Sequence, residues 1–179
     1  MSALLEPYNP AWSVEFSELS AIYAEALGPL ALRIEHIGST AIPGLAAKPI
    51  IDIDIVIADY AVFPRVVDAL AELGYAHNGD QGIPQREAFK PADEFVPRTS
   101  PSRRWRTHHL YVCPEASPEL QRHLRFRDAL RANPAFCREY EALKLELAAR
   151  SGDDRKIYAR LKEDACRDFV ARVIRATGE

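Results

Sequence analysis

The sequence predicts an α/β fold in which helices cover a β-sheet and the last third of the chain is helical. Helical and strand-like hydrophobic patterns alternate up to about residue 115, and only helical spacing follows. A chain of 179 residues is long enough to bury one core and has the usual length of one domain. We therefore expect one domain over 1–179, with an α/β core at 1–115 and a helical extension at 116–179 packed on the same core.

Local signals predict the first helix and the first strand. Asn9 and Pro10 are typical of a helix start, and apolar residues then recur at helical spacing until Gly28. A short strand is predicted at 32–37. It ends in a turn of small residues at 38–40.

The strongest strand signal lies at 50–57, where the sequence reads IIDIDIVI. Because β-branched residues dominate and both faces are apolar near the end of the run, we expect a central strand. A helix is predicted at 64–73, followed by strands at 85–90 and 107–113. The segment between these two strands is rich in Pro, Ser and Arg, and its length indicates either a mobile loop or a lid.

Three helices are predicted in the last third of the chain. The first is capped by Ser117 and runs to about 132, the second begins at Asn133 and runs to about 150, and the third begins at Asp153 and runs to about 176. The third carries one apolar stripe, which indicates packing against the rest of the chain.

Composition limits the classes of protein to which the chain can belong. No apolar stretch reaches the ~18 to 20 residues of a membrane span, and the N-terminus lacks the pattern of a secretory signal. Three cysteines without C-x-x-C spacing argue against a disulfide framework and a thiolate zinc site. We therefore expect a soluble, cytoplasmic protein that does not bind membranes. No feature of the sequence indicates its oligomeric state.

Nucleic acid is not the expected partner. The net charge of -3 provides no general attraction for it. A local basic cluster, Arg98, Arg103, Arg104 and Arg106, is more often a solvated loop than a nucleic-acid site. Beyond Trp105, no series of aromatic residues accompanies these arginines to stack on bases.

Asp52 and Asp54 are the main chemical signal. Strand side chains alternate between faces, so both carboxylates project from one face while isoleucines fill the other. At this spacing the carboxylates repel each other by about 2 to 3 kcal/mol at an effective dielectric near 20, which favours a bound cation. The candidate is Mg²⁺ or Mn²⁺, held by one or two carboxylates and by substrate phosphates. The alternative is a solvated edge strand, or pairing with structural Arg and Lys residues.

A turn of small residues precedes this strand. Gly38, Ser39 and Thr40 would let backbone N–H groups approach an anion closely, with two hydroxyl groups nearby. Alone, these residues are more simply a tight turn. Because twelve residues separate Ser39 from Asp52, the turn and the carboxylates together form a workable site for a triphosphate and a metal. Lys48 could neutralise a phosphate there, or could be a surface lysine.

A glycine-serine turn followed by Asp-x-Asp on a strand resembles the signature of the nucleotidyltransferase superfamily. The run HIGSTAIPGLAAKPIIDIDIVI at 36–57 is similar to the core motif of the GrpB, or UPF0157, family, which is assigned to that superfamily. The similarity spans nearly the whole chain. It includes YNPAW near the start, Arg86, Phe89, THHLYV at 107–112, FRDALRANP at 126–134, Tyr140, Leu143, Lys144 and Tyr158.

The resemblance implies a nucleotidyltransferase-like mixed β-sheet flanked by helices, a loop for nucleotide phosphates and paired aspartates for a divalent metal. Active members of the superfamily usually present a third carboxylate from a neighbouring strand, but THHLYVC contains none. Glu87 is the candidate substitute, although it is equally an exposed strand residue. Domains of this type also occur fused to dephospho-coenzyme A kinase in some bacteria, which indicates a nucleotide or coenzyme context.

Several other residues are candidates for the same cleft. His36 and His109 lie on the strands predicted to flank the aspartates, where each could be a metal ligand, a base or a structural residue. His109 is the better candidate. Arg127 and Lys144 could bind substrate charge or form salt bridges within the helices. Arg86 is assigned to the cleft through the resemblance.

The leading hypothesis is transfer of a nucleotidyl group from a nucleoside triphosphate to an unknown acceptor. Asp52 and Asp54 would hold Mg²⁺, the turn would bind phosphates, and a carboxylate or His109 would accept the proton of the acceptor. The alternative is a non-catalytic module that senses a nucleotide or a coenzyme-like ligand, which the missing third carboxylate favours. An RNA-linked role of the basic cluster ranks last.

Overall fold

The computed structural model describes residues 4–176, in which helices and strands alternate before three helices end the chain. The helices are α1 (Ala11–Leu27), α2 (Phe63–Glu72), α3 (Pro118–Ala132), α4 (Pro134–Arg150) and α5 (Arg155–Ala176). The strands are β1 (Arg33–Ile37), β2 (Ile51–Ile57), β3 (Tyr75–His77), β4 (Glu87–Pro91) and β5 (His108–Pro114). The predicted α/β fold class and the helical last third are confirmed.

One strand was not predicted. β3 is three residues long and follows α2 directly, so it offers too few positions for an alternating pattern to be recognised. The strand predicted from residue 85 begins at Glu87, because Gln85 has a φ of 62°, outside the extended range.

The sheet is mixed, with the order β1-β2-β5-β4-β3. β2 and β5 are parallel, and every other neighbouring pair is antiparallel. β2 lies between β1 and β5, and its register pairs Asp52 with His109 and Asp54 with Tyr111. The central position predicted for β2 is confirmed.

One face of the sheet packs on α1 and α2. The four isoleucines of β2 on this face are fully buried, together with Trp12 and Leu19 of α1 and with Val66 and Leu70 of α2. Burying each such side chain contributes about 1.5 to 3 kcal/mol. The aspartates therefore lie on the opposite face, as the period of a strand requires.

The opposite face is covered by the helical last third. Leu120 of α3 packs on Val56 of β2 and Cys113 of β5. Helices α3 to α5 bury a separate apolar cluster, which also takes in Ile42 and Leu45 from the segment before β2. The grouping of these cores into one domain stays a prediction.

The Arg-rich segment between β4 and β5 contacts α1, and its role as a mobile loop or a lid stays a prediction. Arg106 forms two hydrogen bonds of 2.5 and 3.0 Å with Glu15, and Arg103 donates to Glu18 at 2.8 Å. Trp105 is buried between them and donates to the carbonyl of Pro97 at 2.9 Å. The charges of this cluster are therefore largely compensated by acidic neighbours.

Among residues 4–176, no helix combines the length and the apolar character that crossing a membrane requires. The three cysteines are free thiols, and Cys113 and Cys166 are buried.

Candidate functional site

A cavity of about 990 Å³ lies between the aspartate face of the sheet and the C-terminal helices. This volume is at the upper end of the range for small-molecule sites. Eight of the predicted site residues line the cavity: Gly38, Ser39, Thr40, Lys48, Asp52, His109, Arg127 and Lys144. The fold therefore brings the glycine-serine turn, one aspartate and residues of the helical extension to one place.

Gly38 is in direct contact with Asp52. Its φ of 70° and ψ of -172° fall in a region that is essentially restricted to glycine. A Cβ atom at this position would lie 2.2 Å from Oδ2 of Asp52. The turn can therefore approach the carboxylate only because residue 38 has no side chain.

Asp52 and His109 form a pair across β2 and β5. Nδ1 of His109 donates a hydrogen bond to Oδ1 of Asp52 at 2.8 Å. This bond raises the pKa of His109, and the side chains of His109 and Asp52 remain 48% and 28% exposed. Among the described residues, Nε2 of His109 has no hydrogen-bond partner, so this nitrogen is available to a ligand.

Asp54 lies deeper than Asp52 and does not line the cavity. Its side chain is fully buried, and Oδ2 accepts a hydrogen bond of 2.8 Å from Nδ1 of His123. Among residues 4–176, Oδ1 has no hydrogen-bond partner. Burial raises the pKa of Asp54, an effect that His123 opposes.

His123 and its neighbours on α3 were missed by sequence reasoning. Nε2 of His123 lies 3.1 Å from Oε1 of Glu119. Arg122 donates one hydrogen bond to each carboxylate oxygen of Glu119, at 2.8 Å to Oε2 and at 2.5 Å to Oε1. Burial alone would lower the pKa of His123, but the bonds to Asp54 and Glu119 raise it to about 9. The sequence signal for this cluster was the placement of Glu119 one helical turn before His123. Pairs with this spacing are common on any solvated helix.

Arg86 lies close to the aspartate face. Its guanidinium carbon is 4.5 Å from the ring centroid of Tyr111, the residue that pairs with Asp54 across β2 and β5. Nε of Arg86 is buried and has no hydrogen-bond partner in the part of the chain that the structure describes. Its charge lowers the pKa of Asp54, after the larger effects of burial and of His123.

Glu87 lies on the other face of the sheet, so the structure does not bring it to the aspartates as a third carboxylate. The register pairs Glu87 with Val112, which pairs in turn with Ile55. Its carboxylate accepts a hydrogen bond from the Tyr60 hydroxyl at 2.9 Å and pairs with Nε2 of His77 at 2.7 Å.

His36 also lies away from the aspartates. It pairs with Ile53 across β1 and β2, and its ring stacks on Phe16 of α1 at a centroid distance of 4.5 Å. Burial lowers the pKa of His36 to about 4. Because the Thr40 hydroxyl donates to the carbonyl of Ile50 at 3.1 Å, it accepts the hydrogen bond from Nε2 of His36 at 3.1 Å. Both side chains are thus engaged in structural bonds.

The predicted cations of the helical extension are already engaged by the protein. Arg127 donates to Glu35 at 2.7 Å and to the carbonyl of His36 at 3.1 Å. Lys144 is almost fully buried, donates to the carbonyl of Ala46, and has a pKa lowered to about 7 by burial.

Two lysines on the cavity wall are less engaged. Nζ of Lys48 lies 4.3 Å from the ring centroid of Tyr158, and burial followed by the charge of Lys162 lowers the pKa of Lys48. Lys162 also lines the cavity. Within residues 4–176 neither lysine forms a salt bridge with a carboxylate, and both line the cavity.

A divalent metal fits this donor set only in part. Within the described part of the chain, no three His, Cys, Asp or Glu side chains are grouped to hold a metal ion. Oδ1 of Asp54 is buried without a partner, and Oδ2 of Asp52 lies against Gly38. Two carboxylates suit Mg²⁺ when substrate phosphates and water complete its coordination.

Comparison with known proteins points to one family. Residues 3–172 match the family model described as GrpB protein. A crystal structure of conserved protein GrpB from Enterococcus faecalis is 30% identical, has a TM-score of 0.79, and covers 98% of this chain and 99% of that chain.

Two relatives are considerably longer than this chain. The UPF0157 protein YqkA of Bacillus subtilis is 35% identical over 157 residues, which are 88% of this chain and 43% of the relative. A protein of Mycolicibacterium paratuberculosis named dephospho-CoA kinase is 28% identical over 94% of this chain and 45% of its own length. This chain thus spans less than half of either relative. The match over residues 3–172 shows that the chain belongs to the GrpB family.

Proposed function

We propose that this protein transfers a nucleotidyl group from a nucleoside triphosphate to a hydroxyl, phosphate or amine of an acceptor. One observation carries the proposal: Gly38 lies against Asp52, and Asp52 is hydrogen-bonded to His109, on the wall of one cavity. A phosphate-binding turn, a carboxylate and a candidate base are the groups that such a reaction requires.

The turn and two lysines would bind the triphosphate. Gly38 allows close approach of an anion to the backbone, and Ser39 adds a hydroxyl group on the cavity wall. The charges of Lys48 and Lys162 would offset those of the terminal phosphates. Thr40, Arg127 and Lys144, whose polar groups are bonded within the protein, would shape this end of the cavity.

Asp52 and Asp54 would hold Mg²⁺ or Mn²⁺, which when bound neutralises charge on the reacting phosphate and orients it. His109 would accept the proton of the acceptor at Nε2, because Asp52 holds the hydrogen on Nδ1 and thereby sets the tautomer. The raised pKa of His109 strengthens it as a base. Arg86 would contribute positive charge beside the aspartates.

A second candidate is a non-catalytic module that binds a nucleotide or a coenzyme-like ligand in the same cavity. Glu87 lies on the opposite face of the sheet and Asp54 does not line the cavity. Of the three carboxylates predicted for a transferase site, Asp52 alone therefore lies on the cavity wall. The relative named dephospho-CoA kinase supports a coenzyme context.

The test is calorimetric titration of a panel of nucleoside triphosphates with Mg²⁺, followed by a pyrophosphate-release assay with candidate acceptors. It compares the wild-type protein with Asp52→Asn and with Glu139→Gln, a matched control at an exposed carboxylate of α4. We expect Mg²⁺-dependent binding that Asp52→Asn removes and Glu139→Gln retains.

Release of pyrophosphate by the wild-type protein would support the transferase. Binding without release across the acceptors would support the binding module. No binding of any nucleotide would contradict both candidates. We place this activity in the cytoplasm, where the three free thiols would stay reduced.

A further inference from the structure

The cavity extends well beyond the groups that would bind the triphosphate. Helix α5 lines it at every fourth residue from Tyr158 to Ile174. At a rise of 1.5 Å per residue, this wall is roughly 24 Å long. Lys48 and Lys162 lie at its first end, because Nζ of Lys48 is over the ring of Tyr158 and Lys162 follows Tyr158 by one turn.

The wall becomes apolar along α5. After Lys162, the residues that line the cavity at the same spacing are Cys166, Val170 and Ile174, over roughly 12 Å. Cys166 and Val170 are buried. The side chains from other elements that line the cavity and belong to the same apolar cluster are Leu5, Ile42 and Phe126. The charged residues of α5 that line the cavity beyond Lys162 are exposed, so they lie at its mouth: Glu163, Arg167 and Arg175.

An aliphatic group suits this apolar end better than water or a nucleobase does. A water molecule in a cavity needs roughly two to four polar partners, and aliphatic side chains supply none. A buried base would leave its ring nitrogens and exocyclic groups unpaired, which is unfavourable. An aliphatic chain has no such groups, and its transfer from water is favourable.

We propose that the apolar end of the cavity binds the aliphatic chain of a second ligand, which is the acceptor. The acceptor role rests on the proposed function. In that reaction the hydroxyl oxygen of the acceptor bonds to the α-phosphorus, its proton passes to His109, and pyrophosphate leaves with the electrons of the broken P–O bond. The apolar end requires neither nucleotide nor metal, so it can be tested without them.

The experiment measures the Kd of 1-butanol, 1-hexanol and 1-octanol by calorimetric titration without nucleotide. The hydroxyl group is neutral and the same in all three alcohols, so differences within the series report the apolar end alone. We expect one alcohol bound per chain and a Kd that falls about fourfold for each added methylene.

A substitution on the wall should remove this dependence on chain length. Ala171 lines the cavity next to Val170, so the larger side chain of Ala171→Trp would fill the apolar end. The matched control is Ala142→Trp, at an exposed alanine of α4 that is not on the cavity wall. This control should keep the fourfold step per methylene.

A Kd that does not change with chain length in the wild-type protein would overturn the proposal. That measurement needs no variant, so it decides the question even if circular dichroism shows that Ala171→Trp does not fold. Analytical ultracentrifugation covers a different occupant. A wild-type dimer that Ala171→Trp dissociates would assign the apolar end to a second copy of the chain, against the proposal.

Folded Ala171→Trp is also titrated with the panel of nucleoside triphosphates and Mg²⁺. Retained nucleotide binding would support a separate site for the acceptor, whereas its loss would assign the apolar end to the base and overturn the proposal. A wild-type protein that shows the dependence on chain length but binds no nucleotide would support the apolar site and contradict the proposed function.

Discussion

Asp54 of the central strand and His123 of α3 form a buried ion pair with a distance of 2.8 Å between Oδ2 and Nδ1. The two residues are 69 positions apart, so the pair connects the sheet to the helical last third. The helices therefore do more than cover the apolar surface of the sheet, because they also compensate a charge that the sheet has buried.

We expect His123→Leu to lower the free energy of unfolding by about 3 to 5 kcal/mol, because it leaves the buried carboxylate of Asp54 without its partner. Asp54→Asn/His123→Leu should cost less than the sum of the two single substitutions, since the amide is neutral. Urea unfolding of the four proteins measures both effects. Additive costs would show that the two side chains do not interact.

Gly38→Ala should destabilise the protein more than Gly44→Ala. Both glycines have a positive φ, 70° and 81°, a backbone conformation that costs an L-residue roughly 1 to 3 kcal/mol. A Cβ atom at residue 44 meets nothing within 4 Å, whereas at residue 38 it collides with Oδ2 of Asp52. Thermal unfolding gives the difference in stability, and nucleotide titration should show weaker binding for Gly38→Ala alone. Equal effects of the two substitutions would exclude a role for the contact with Asp52.

A buried hydrogen-bond chain fixes β5 behind the site. His108 donates from Nδ1 to the carbonyl of Arg106 at 2.9 Å, so its Nε2 accepts from the Tyr75 hydroxyl. The oxygen of Tyr75 then accepts from Tyr23 at 2.6 Å.

Tyr75→Phe should therefore cost more than Tyr23→Phe. The first substitution leaves both Tyr23 and His108 without partners, at about 1 to 3 kcal/mol for each buried group, whereas the second removes one hydrogen bond worth about 1 kcal/mol. Denaturant unfolding of the two variants decides the order. Tyr23→Phe as the more damaging change would reverse the donor directions deduced for this chain.

The stability of the wild-type protein should rise with pH relative to Lys144→Met between about 7 and about 10. Burial lowers the pKa of Lys144 to about 7 in the folded state, whereas a lysine in the unfolded chain has a pKa of about 10.4. Within this window the unfolded chain binds a proton that the folded chain has released, so deprotonation favours folding. The difference should grow by up to about 1.4 kcal/mol per pH unit. A constant difference across the window would mean that Lys144 stays charged in the folded protein.

Most of the fold could be predicted because its signals are local. The alternating pattern of β2 and the caps of α3 and α4 depend on neighbouring residues, and each of these elements is present where the sequence indicates it. β3 was missed because three residues carry no readable period.

The candidate site could be predicted in part. Sequence motifs and the alternation of strand side chains between the two faces of a sheet predicted part of the site. This part comprises the turn at Gly38, the aspartates and His109. The sequence could not show whether Glu87 lies on the same face of the sheet as the aspartates. That face depends on the register between β4 and β5, which pairs Glu87 with Val112.

By itself, the sequence determined that Asp52 and Asp54 share one face of β2 and that a glycine turn precedes them, because strand period and backbone conformation are local properties. The tertiary structure decided how different the two aspartates are. Asp52 lies on the cavity wall beside His109, and Asp54 is buried beneath His123. Contacts between residues 57 and 69 positions apart arise from the packing of separate elements, and no local pattern encodes them.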